Sequence, residues 1–106
     1  MGYVYIMTNK SNRVLYIGVT TDLVRRVEEH IDESGSRFTI KYKCHKLIYY
    51  EVYYNIEDAI NRETQLKGWQ RKWKIELIKH MNPSWDNLGL TLYTNPALRD
   101  SGSSPE

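Results

Sequence analysis

Two segments near the start of the chain constrain its fold more than any other feature. Residues 3–8 and 13–19 are rich in β-branched and aromatic side chains, which favour strands. The polar residues 9–12 between them are of types that favour turns. Together the three segments predict a β-hairpin at the beginning of the fold.

The strand period of two divides the side chains of this hairpin between two faces. Pairing Thr8 with Arg13 across a four-residue loop would place Tyr5 opposite Tyr16. One face then carries the tyrosines and a glycine, namely Tyr3, Tyr5, Tyr16 and Gly18. The other face is aliphatic, and we expect it to be the core, with Val4, Ile6, Leu15 and Ile17.

The rest of the chain carries equally clear patterns. They predict a helix over 21–33, a third strand over 46–54 and two further helices over 56–70 and 71–81. Asp22 and Asn55 can cap the first two helices, because their side-chain oxygens accept hydrogen bonds from free backbone amides. The pair Asn82-Pro83 ends the last helix, since proline disfavours helical conformation in the residue before it.

The length of the chain sets its domain organisation. A chain of 106 residues can bury one hydrophobic core but not two. We expect one domain over 1–93 and a flexible tail over 94–106, where Ser, Gly, Pro and polar residues dominate. Cys44 is the only cysteine, which excludes an intramolecular disulfide and a thiolate cluster for zinc. No segment approaches the roughly 20 apolar residues of a membrane span, so we expect a cytoplasmic protein with no membrane partner.

Three polar side chains interrupt the apolar pattern of the predicted helices. Arg26 and His30 lie one turn apart along one edge of the first helix's stripe, where their stems could simply cover apolar surface. Glu63 lies within the stripe of the second helix, which contains Ile56, Ala59, Ile60 and Leu66. A carboxylate turned toward a core needs a cation, a metal or strong donors. A salt bridge to Arg26 or Arg62 is the structural alternative to a functional role.

The chain resembles the GIY-YIG endonuclease family in an ordered set of residues, Tyr3-Val4-Tyr5, Tyr16-Ile17-Gly18, Arg26, His30 and Glu63. The first triplet begins Tyr3-Val4 instead of Gly-Ile, at positions whose side chains are not expected to react. The resemblance extends from about Tyr3 to Leu88. Within the family the chain is similar to small stand-alone bacterial members and to the N-terminal nuclease domain of the excinuclease of nucleotide-excision repair.

This resemblance implies an α/β (α+β) fold with a central three-stranded antiparallel sheet flanked by helices. It also implies hydrolysis of DNA phosphodiesters with one divalent cation, Mg²⁺ or Mn²⁺, held by Glu63. The catalytic positions that it assigns are Tyr5, Tyr16, Arg26, His30, Glu63 and Asn87. Asn87 is preferred over Asn82, because Asn82 belongs to the helix stop. Arg26 would bind a phosphate oxygen, and either Tyr5 or His30 would take a proton from the attacking water.

The candidate DNA contacts come from two basic clusters and one glycine. They are Gly18, Arg37, Lys41, Lys43, Lys46, Lys67, Arg71 and Lys72. Gly18 would let a backbone or a ligand come close, while the cations would contact phosphates. A solvated, lysine-rich surface explains the same clusters equally well.

The function that the sequence predicts is a metal-dependent DNA endonuclease, with DNA repair or recombination as its setting. Two alternatives stay open. The first is a nucleic-acid-binding module that kept the fold and lost useful catalysis. The second is a nuclease domain that needs a partner protein for DNA affinity, because the net charge is only +2.

Overall fold

The computed structural model describes residues 1–89 and residue 92. These residues form three strands and four helices: β1 (Gly2–Thr8), β2 (Leu15–Thr20), α1 (Leu23–Ile31), α2 (Arg37–Lys41), β3 (Lys46–Tyr53), α3 (Ile56–Lys67) and α4 (Arg71–Met81). The strands form one antiparallel sheet in the order β2-β1-β3, so β1 is central. The predicted three-stranded antiparallel sheet flanked by helices is confirmed. The predicted tail over 94–106 and the domain boundary at 93 lie outside the described residues.

Helix boundaries follow the capping residues read from the sequence. Asp22 caps α1 by accepting a hydrogen bond from the Arg25 amide, and Asn55 caps α3 by accepting one from the Asp58 amide. Both helices are shorter than predicted, and α3 ends at Lys67 with Gly68 as its C-cap.

The pairing of β1 with β2 differs from the predicted register by two residues. Tyr5 lies opposite Gly18, and Tyr16 lies opposite Met7, so Tyr5 and Tyr16 are not partners. The loop is longer than expected, because the Asn9 side chain accepts hydrogen bonds from the amides of Arg13 and Val14. A shift of two residues leaves every side chain on its predicted face. The face assignment is therefore unchanged although the partners differ.

Both faces of the sheet are buried, whereas the sequence predicted a core on one face only. Helices α3 and α4 cover the aliphatic face, where the buried residues include Val4, Ile6, Ile17, Ile48, Ala59, Leu66 and Ile78. The other face packs against α1 and the segment around Cys44, and its buried residues include Tyr3, Tyr5, Met7, Leu23, Val27 and Leu47. The tyrosine face is therefore a second core.

Two local features were not predicted. Helix α2 is only five residues long, and Ser36 caps it by accepting a hydrogen bond from the Thr39 amide. Ile48 has no partner in the pairing of β3 with β1, which makes it a bulge, and the Asn82 side chain donates to its carbonyl. Asn82 therefore both ends α4 and satisfies a strand carbonyl that the ladder leaves free. Among the described helices, none is long and apolar enough to cross a membrane.

Candidate active site

Tyr5 lies at the centre of the sheet and is fully buried on the face that α1 covers. Its ring lies over Gly18 on β2, and a Cβ atom at position 18 would overlap Cζ and the hydroxyl oxygen of Tyr5. Gly18 was expected to admit a ligand or a backbone, but the group that approaches it is the Tyr5 side chain. Glycine at position 18 is therefore required for the Tyr5 hydroxyl to occupy this position.

Three aromatic rings from β1, β2 and α1 meet at this point. The ring centroids of Tyr5 and His30 are 5.5 Å apart in a stacked arrangement. Tyr16 meets both rings edge-on, at 6.2 Å from Tyr5 and 5.5 Å from His30. Tyr5, Tyr16 and His30 therefore converge on one place, in agreement with the predicted strand faces and helical spacing.

His30 is 1% exposed, and both of its ring nitrogens have partners. Its Nε2 lies 2.9 Å from the Tyr5 hydroxyl, and its Nδ1 lies 3.0 Å from the Thr39 hydroxyl on α2. Burial lowers the pKa of His30, and the positive charge of Arg26 lowers it further, while Glu29 opposes them. The imidazole is therefore neutral at neutral pH.

The electrostatics of Tyr5 connect it to the other predicted residues. Burial raises the pKa of the Tyr5 hydroxyl well above its ordinary value, and Tyr16 raises it further. The Arg26 guanidinium lowers this pKa, and the Glu63 carboxylate raises it. Charges from α1 and α3 thus act on one hydroxyl group, which holds its proton at neutral pH.

Arg26 lies at the solvent side of the cluster. Its Nε is 3.0 Å from Oε1 of Glu29, and the side chain is 40% exposed. Burial acts to lower the pKa of Arg26, but Tyr5 and Glu29 raise it overall. With Tyr16 and His30 it lines a cavity of about 310 Å³ that opens to solvent. A permanent cation at the mouth of a cavity beside two hydroxyl groups is suited to an anionic ligand.

Glu63 is 17% exposed, and its Oε2 lies 3.0 Å from Nζ of Lys67. A salt bridge from Glu63 to Arg26 or Arg62 was the structural alternative, but Arg62 pairs with Glu51 on β3. The stripe on α3 differs slightly from the prediction, because Ile60 is 45% exposed. Lys67 also lines a cavity of about 230 Å³ together with Tyr16 and Lys74. Glu63 therefore has an exposed lysine as its partner, and it is connected to the tyrosine cluster by the effect of its charge on the pKa of Tyr5.

Asn87 is not brought together with these residues. Its Oδ1 accepts hydrogen bonds from the amides of Leu47 and Gly89, which ties the segment after α4 to the start of β3. It lines a separate cavity with Lys10, Lys43, His45 and Lys46. In this structure Asn87 joins two backbone segments and does not reach the rings of Tyr5 and Tyr16.

The predicted basic clusters lie on two sides of the tyrosine cluster. Arg37 and Lys41 are on α2, whose Phe38 ring packs 5.7 Å from Tyr16. Lys67 borders Tyr16 directly. The other predicted contacts lie further out: Lys43 pairs with Glu33, Lys46 lines the Asn87 cavity, and Arg71 and Lys72 are exposed at the start of α4. Of the predicted basic residues, Lys67 alone therefore lines the cavity of about 230 Å³ at Tyr16.

The metal-binding side chains near the tyrosine cluster fit one mode of divalent-cation binding and not another. Within residues 1–89 and 92, no group of three or more His, Cys, Asp or Glu side chains could enclose a metal ion. Magnesium does not need such a cage, because it keeps several waters and is often held by one or two carboxylates plus phosphate oxygens. Glu63 offers one carboxylate whose charge acts on the Tyr5 hydroxyl, which fits that mode of binding and does not fit a structural zinc site.

Two residues of this region were missed by sequence reasoning. The Thr39 hydroxyl forms a hydrogen bond with His30, and the Ser36 hydroxyl forms one with Thr39. The signal for Ser36 was present, because serine is a common residue at helix starts. Nothing in the sequence connected either hydroxyl to a histidine on another helix.

The chain is similar to known proteins over most of its length. A family model described as the GIY-YIG catalytic domain matches residues 1–76. A UPF0213 protein of Pediococcus pentosaceus is 33% identical over 87 residues, covering 82% of this chain and 92% of that protein. A UPF0213 protein of Haloquadratum walsbyi is 36% identical over 77 residues, covering 73% of this chain and 85% of that protein. These are small proteins of nearly the same extent as the matched region.

A solved structure has the same architecture. The solution NMR structure of a UPF0213 protein from Bacillus halodurans superposes with a TM-score of 0.53 at 28% sequence identity. The match covers 82% of this chain and 93% of that one. The name UPF0213 states no activity, so the nuclease-type function is supported at the level of the GIY-YIG family.

Proposed function

The chain belongs to the GIY-YIG family, and we propose that within it the protein is a metal-dependent DNA endonuclease that hydrolyses phosphodiester bonds. The observation that carries this proposal is the convergence of Tyr5, Tyr16 and His30 beside the exposed cation of Arg26. Packing alone would not require two tyrosines, an imidazole and a guanidinium to meet in one cluster.

Phosphodiester hydrolysis needs a base for the attacking water, cations for the charge on phosphorus and a way to stabilise the leaving oxygen. The neutral imidazole of His30 supplies a base, and it contacts the Tyr5 hydroxyl directly. Arg26 supplies a cation that can hold a nonbridging phosphate oxygen through two N–H groups. Tyr16 lines the same cavity, where its hydroxyl can donate to the phosphate.

Glu63 is the residue that would hold the divalent cation. When bound, Mg²⁺ or Mn²⁺ polarises a phosphoryl oxygen and neutralises developing negative charge. The ion pair with Lys67 does not prevent this, since an exposed pair at i and i+4 is worth only about 0.3–0.5 kcal/mol. Lys67 is 56% exposed and can turn away from Glu63 toward solvent or a phosphate group.

DNA affinity is proposed to come from the basic groups beside Tyr16. Lys67 on α3 lines the cavity of about 230 Å³ at Tyr16, and Arg37 and Lys41 lie on α2, whose Phe38 lines the same cavity. Binding of this kind depends on counterion release, so the affinity falls steeply as salt is raised. If titrations at two salt concentrations gave the same dissociation constant, these three basic residues would be excluded as the source of DNA affinity.

The test is a cleavage screen in Mg²⁺ and in Mn²⁺ over single-stranded, duplex, nicked, flapped and four-way DNA. We expect at least one substrate to be cut, with EDTA abolishing cleavage. Glu63→Ala is expected to lower cleavage by orders of magnitude and to keep most of the DNA affinity. Glu57→Ala, an exposed carboxylate on the same helix, is the matched control and should cut like the wild type.

The second candidate is the binding module without useful catalysis. The ion pair between Glu63 and Lys67 favours it, because a carboxylate that already has a cation does not require a metal. This alternative predicts DNA binding without cleavage of any substrate in the screen. It also predicts that Glu63→Ala and Glu57→Ala behave alike.

A further inference from the structure

Thr39 is 1% exposed on the short helix α2, and the proposed reaction gives it no part. Its hydroxyl oxygen lies 3.0 Å from Nδ1 of His30, while Tyr5 contacts the other ring nitrogen. A buried hydroxyl in contact with a base that touches a candidate catalytic tyrosine is in a position to control that base.

The hydrogen bonds of Thr39 can be assigned by counting protons. A threonine hydroxyl has one proton to donate and two lone pairs with which to accept. The Ser36 carbonyl lies 3.0 Å from the Thr39 hydroxyl and can only accept, so a hydrogen bond between them uses the Thr39 proton. When the proton is used in that bond, the Thr39 hydroxyl accepts from His30, and Nδ1 of the imidazole carries the proton between them.

This assignment fixes the other side of the ring. A neutral imidazole carries one proton, so Nδ1–H leaves Nε2 with a lone pair. In this tautomer the hydrogen bond of 2.9 Å between Nε2 and Tyr5 is donated by the tyrosine hydroxyl. The chain of donors runs from Tyr5 to His30, from His30 to Thr39 and from Thr39 to Ser36.

The loop before α2 closes on the same nitrogen. A Cβ atom at Gly35 would lie 2.6 Å from Nδ1 of His30 and 3.5 Å from the Thr39 hydroxyl. The Ser36 hydroxyl lies 3.1 Å from the Thr39 hydroxyl and caps the helix by accepting from the Thr39 amide. The backbone of 35–39 therefore packs tightly around Nδ1, and the cap holds Thr39 in place.

We propose that Thr39 is a positioning residue that holds His30 in the Nδ1–H tautomer, so that Nε2 accepts the proton of Tyr5 during the reaction. The proposal rests on the proposed nuclease function for its catalytic consequence. It assigns the direction of proton transfer, with Tyr5 passing its proton to His30 as the tyrosine oxygen accepts one from water. The arrangement also gives α2 a role, which is to deliver one hydroxyl to one ring nitrogen.

The test reads the tautomer directly, by ¹⁵N chemical shifts of the histidine rings at neutral pH. His30 is identified by the signals that disappear in His30→Gln, since His45 and His80 remain. In the wild type we expect a protonated Nδ1 and an unprotonated Nε2. A wild-type spectrum with the proton on Nε2 overturns the proposal without any variant.

Thr39→Val removes the acceptor and keeps the shape, and Thr39→Ser keeps the hydroxyl. We expect Thr39→Val to shift the tautomer population toward Nε2–H and to lower kcat roughly 10- to 100-fold, as for other residues that orient a reactive group. KM should stay unchanged, and Thr39→Ser should restore both the tautomer and kcat. A Thr39→Val protein with the wild-type tautomer, or with wild-type kcat, overturns the proposal.

The two proposals fail separately. If the wild type cuts no DNA, the nuclease function fails, while the ring spectra of the wild type and Thr39→Ser still support or overturn the placement of the proton. If the wild type cuts DNA and the tautomer is Nε2–H, only the role of Thr39 fails.

Discussion

The two faces of the sheet are equally buried but differ in what they bury. The face covered by α3 and α4 is aliphatic at its centre, with Ile6, Ile48 and Leu66 fully buried. The face covered by α1 buries a tyrosine hydroxyl, an imidazole and a threonine hydroxyl within one chain of hydrogen bonds. The same three strands therefore support an aliphatic core on one side and, on the other, a second core that includes a polar cluster.

Buried apolar groups and buried polar groups contribute differently to the protein. Burial of apolar side chains contributes about 25 cal/mol for each Å² removed from water, so the aliphatic face stabilises the fold. Buried polar groups are costly unless each has a partner, and in the cluster of Tyr5, His30 and Thr39 each one does. Both faces therefore stabilise the sheet through buried apolar side chains, and the polar cluster on one of them contributes a fixed geometry.

The largest expected effect comes from opening the aliphatic core. Leu66→Ala should lower the free energy of unfolding by about 2–5 kcal/mol, because Leu66 is fully buried and its removal leaves a cavity. Urea denaturation measures the change, and cleavage per folded molecule should be unaltered. Ile60→Ala, on the same helix but 45% exposed, is the control and should change stability by less than about 0.5 kcal/mol.

The next effect comes from crowding the polar face. Gly18→Ala should displace the Tyr5 ring, lower the free energy of unfolding by about 1–3 kcal/mol and reduce cleavage by orders of magnitude. Gly68→Ala is the matched control, because its Cβ would meet the Gln65 carbonyl at an ordinary 3.5 Å. Circular dichroism melts and cleavage rates separate the two. Equal behaviour of the two alanine variants would contradict the close contact between Gly18 and Tyr5.

A smaller effect follows from the titration of His30. Because burial and then Arg26 lower its pKa below the ordinary value of 6.5, the unfolded chain binds more protons than the folded protein between the two pKa values. The stability from neutral His30 is complete above pH 6.5 and is lost as the pH falls through the folded pKa. Urea unfolding from about pH 7.5 down to about pH 5 should show this loss in the wild type. His30→Gln should lack that part of the pH dependence, and an identical pH profile would count against a neutral, buried imidazole.

The smallest expected effect is at Glu63. Glu63→Gln removes a weak ion pair with an exposed lysine, so without metal it should change the free energy of unfolding by no more than about 0.5 kcal/mol. Millimolar Mg²⁺ should raise the Tm of the wild type modestly and leave that of the variant unchanged. Thermal melts with Mg²⁺ and with EDTA measure both. A strongly destabilised variant that ignores Mg²⁺ would make Glu63 a structural residue.

Short-range signals predicted most of the fold. Hydrophobic periodicity and the caps at Asp22 and Asn55 predicted the larger helices, because these features depend on neighbours in sequence. The hairpin register was wrong, since it depends on how the Asn9 side chain binds loop amides. Helix α2 was missed because five residues are too few to show a helical period.

The site was predictable to the extent that it lies on regular elements. Tyr5, Tyr16 and His30 converge because strand alternation and helical spacing set their directions. The ion pair between Glu63 and Lys67 could have been predicted, since Lys67 follows Glu63 at i+4. The role of Asn87 could not have been predicted, because Asn87 binds the amide of Leu47, which is 40 residues earlier.

The most direct test of the polar face compares two tyrosines on one strand. Tyr3 and Tyr5 lie on the same face of β1 and are at most 1% exposed, but only the Tyr5 hydroxyl contacts His30, while that of Tyr3 lies 3.7 Å from Sδ of Met1. Each is replaced by Phe, and single-turnover cleavage with Mg²⁺ is measured beside the Tm. Tyr5→Phe should lower the cleavage rate by about 100-fold or more, while Tyr3→Phe keeps the wild-type rate. Equal rates for the two folded variants would contradict the assignment of this face as an active site.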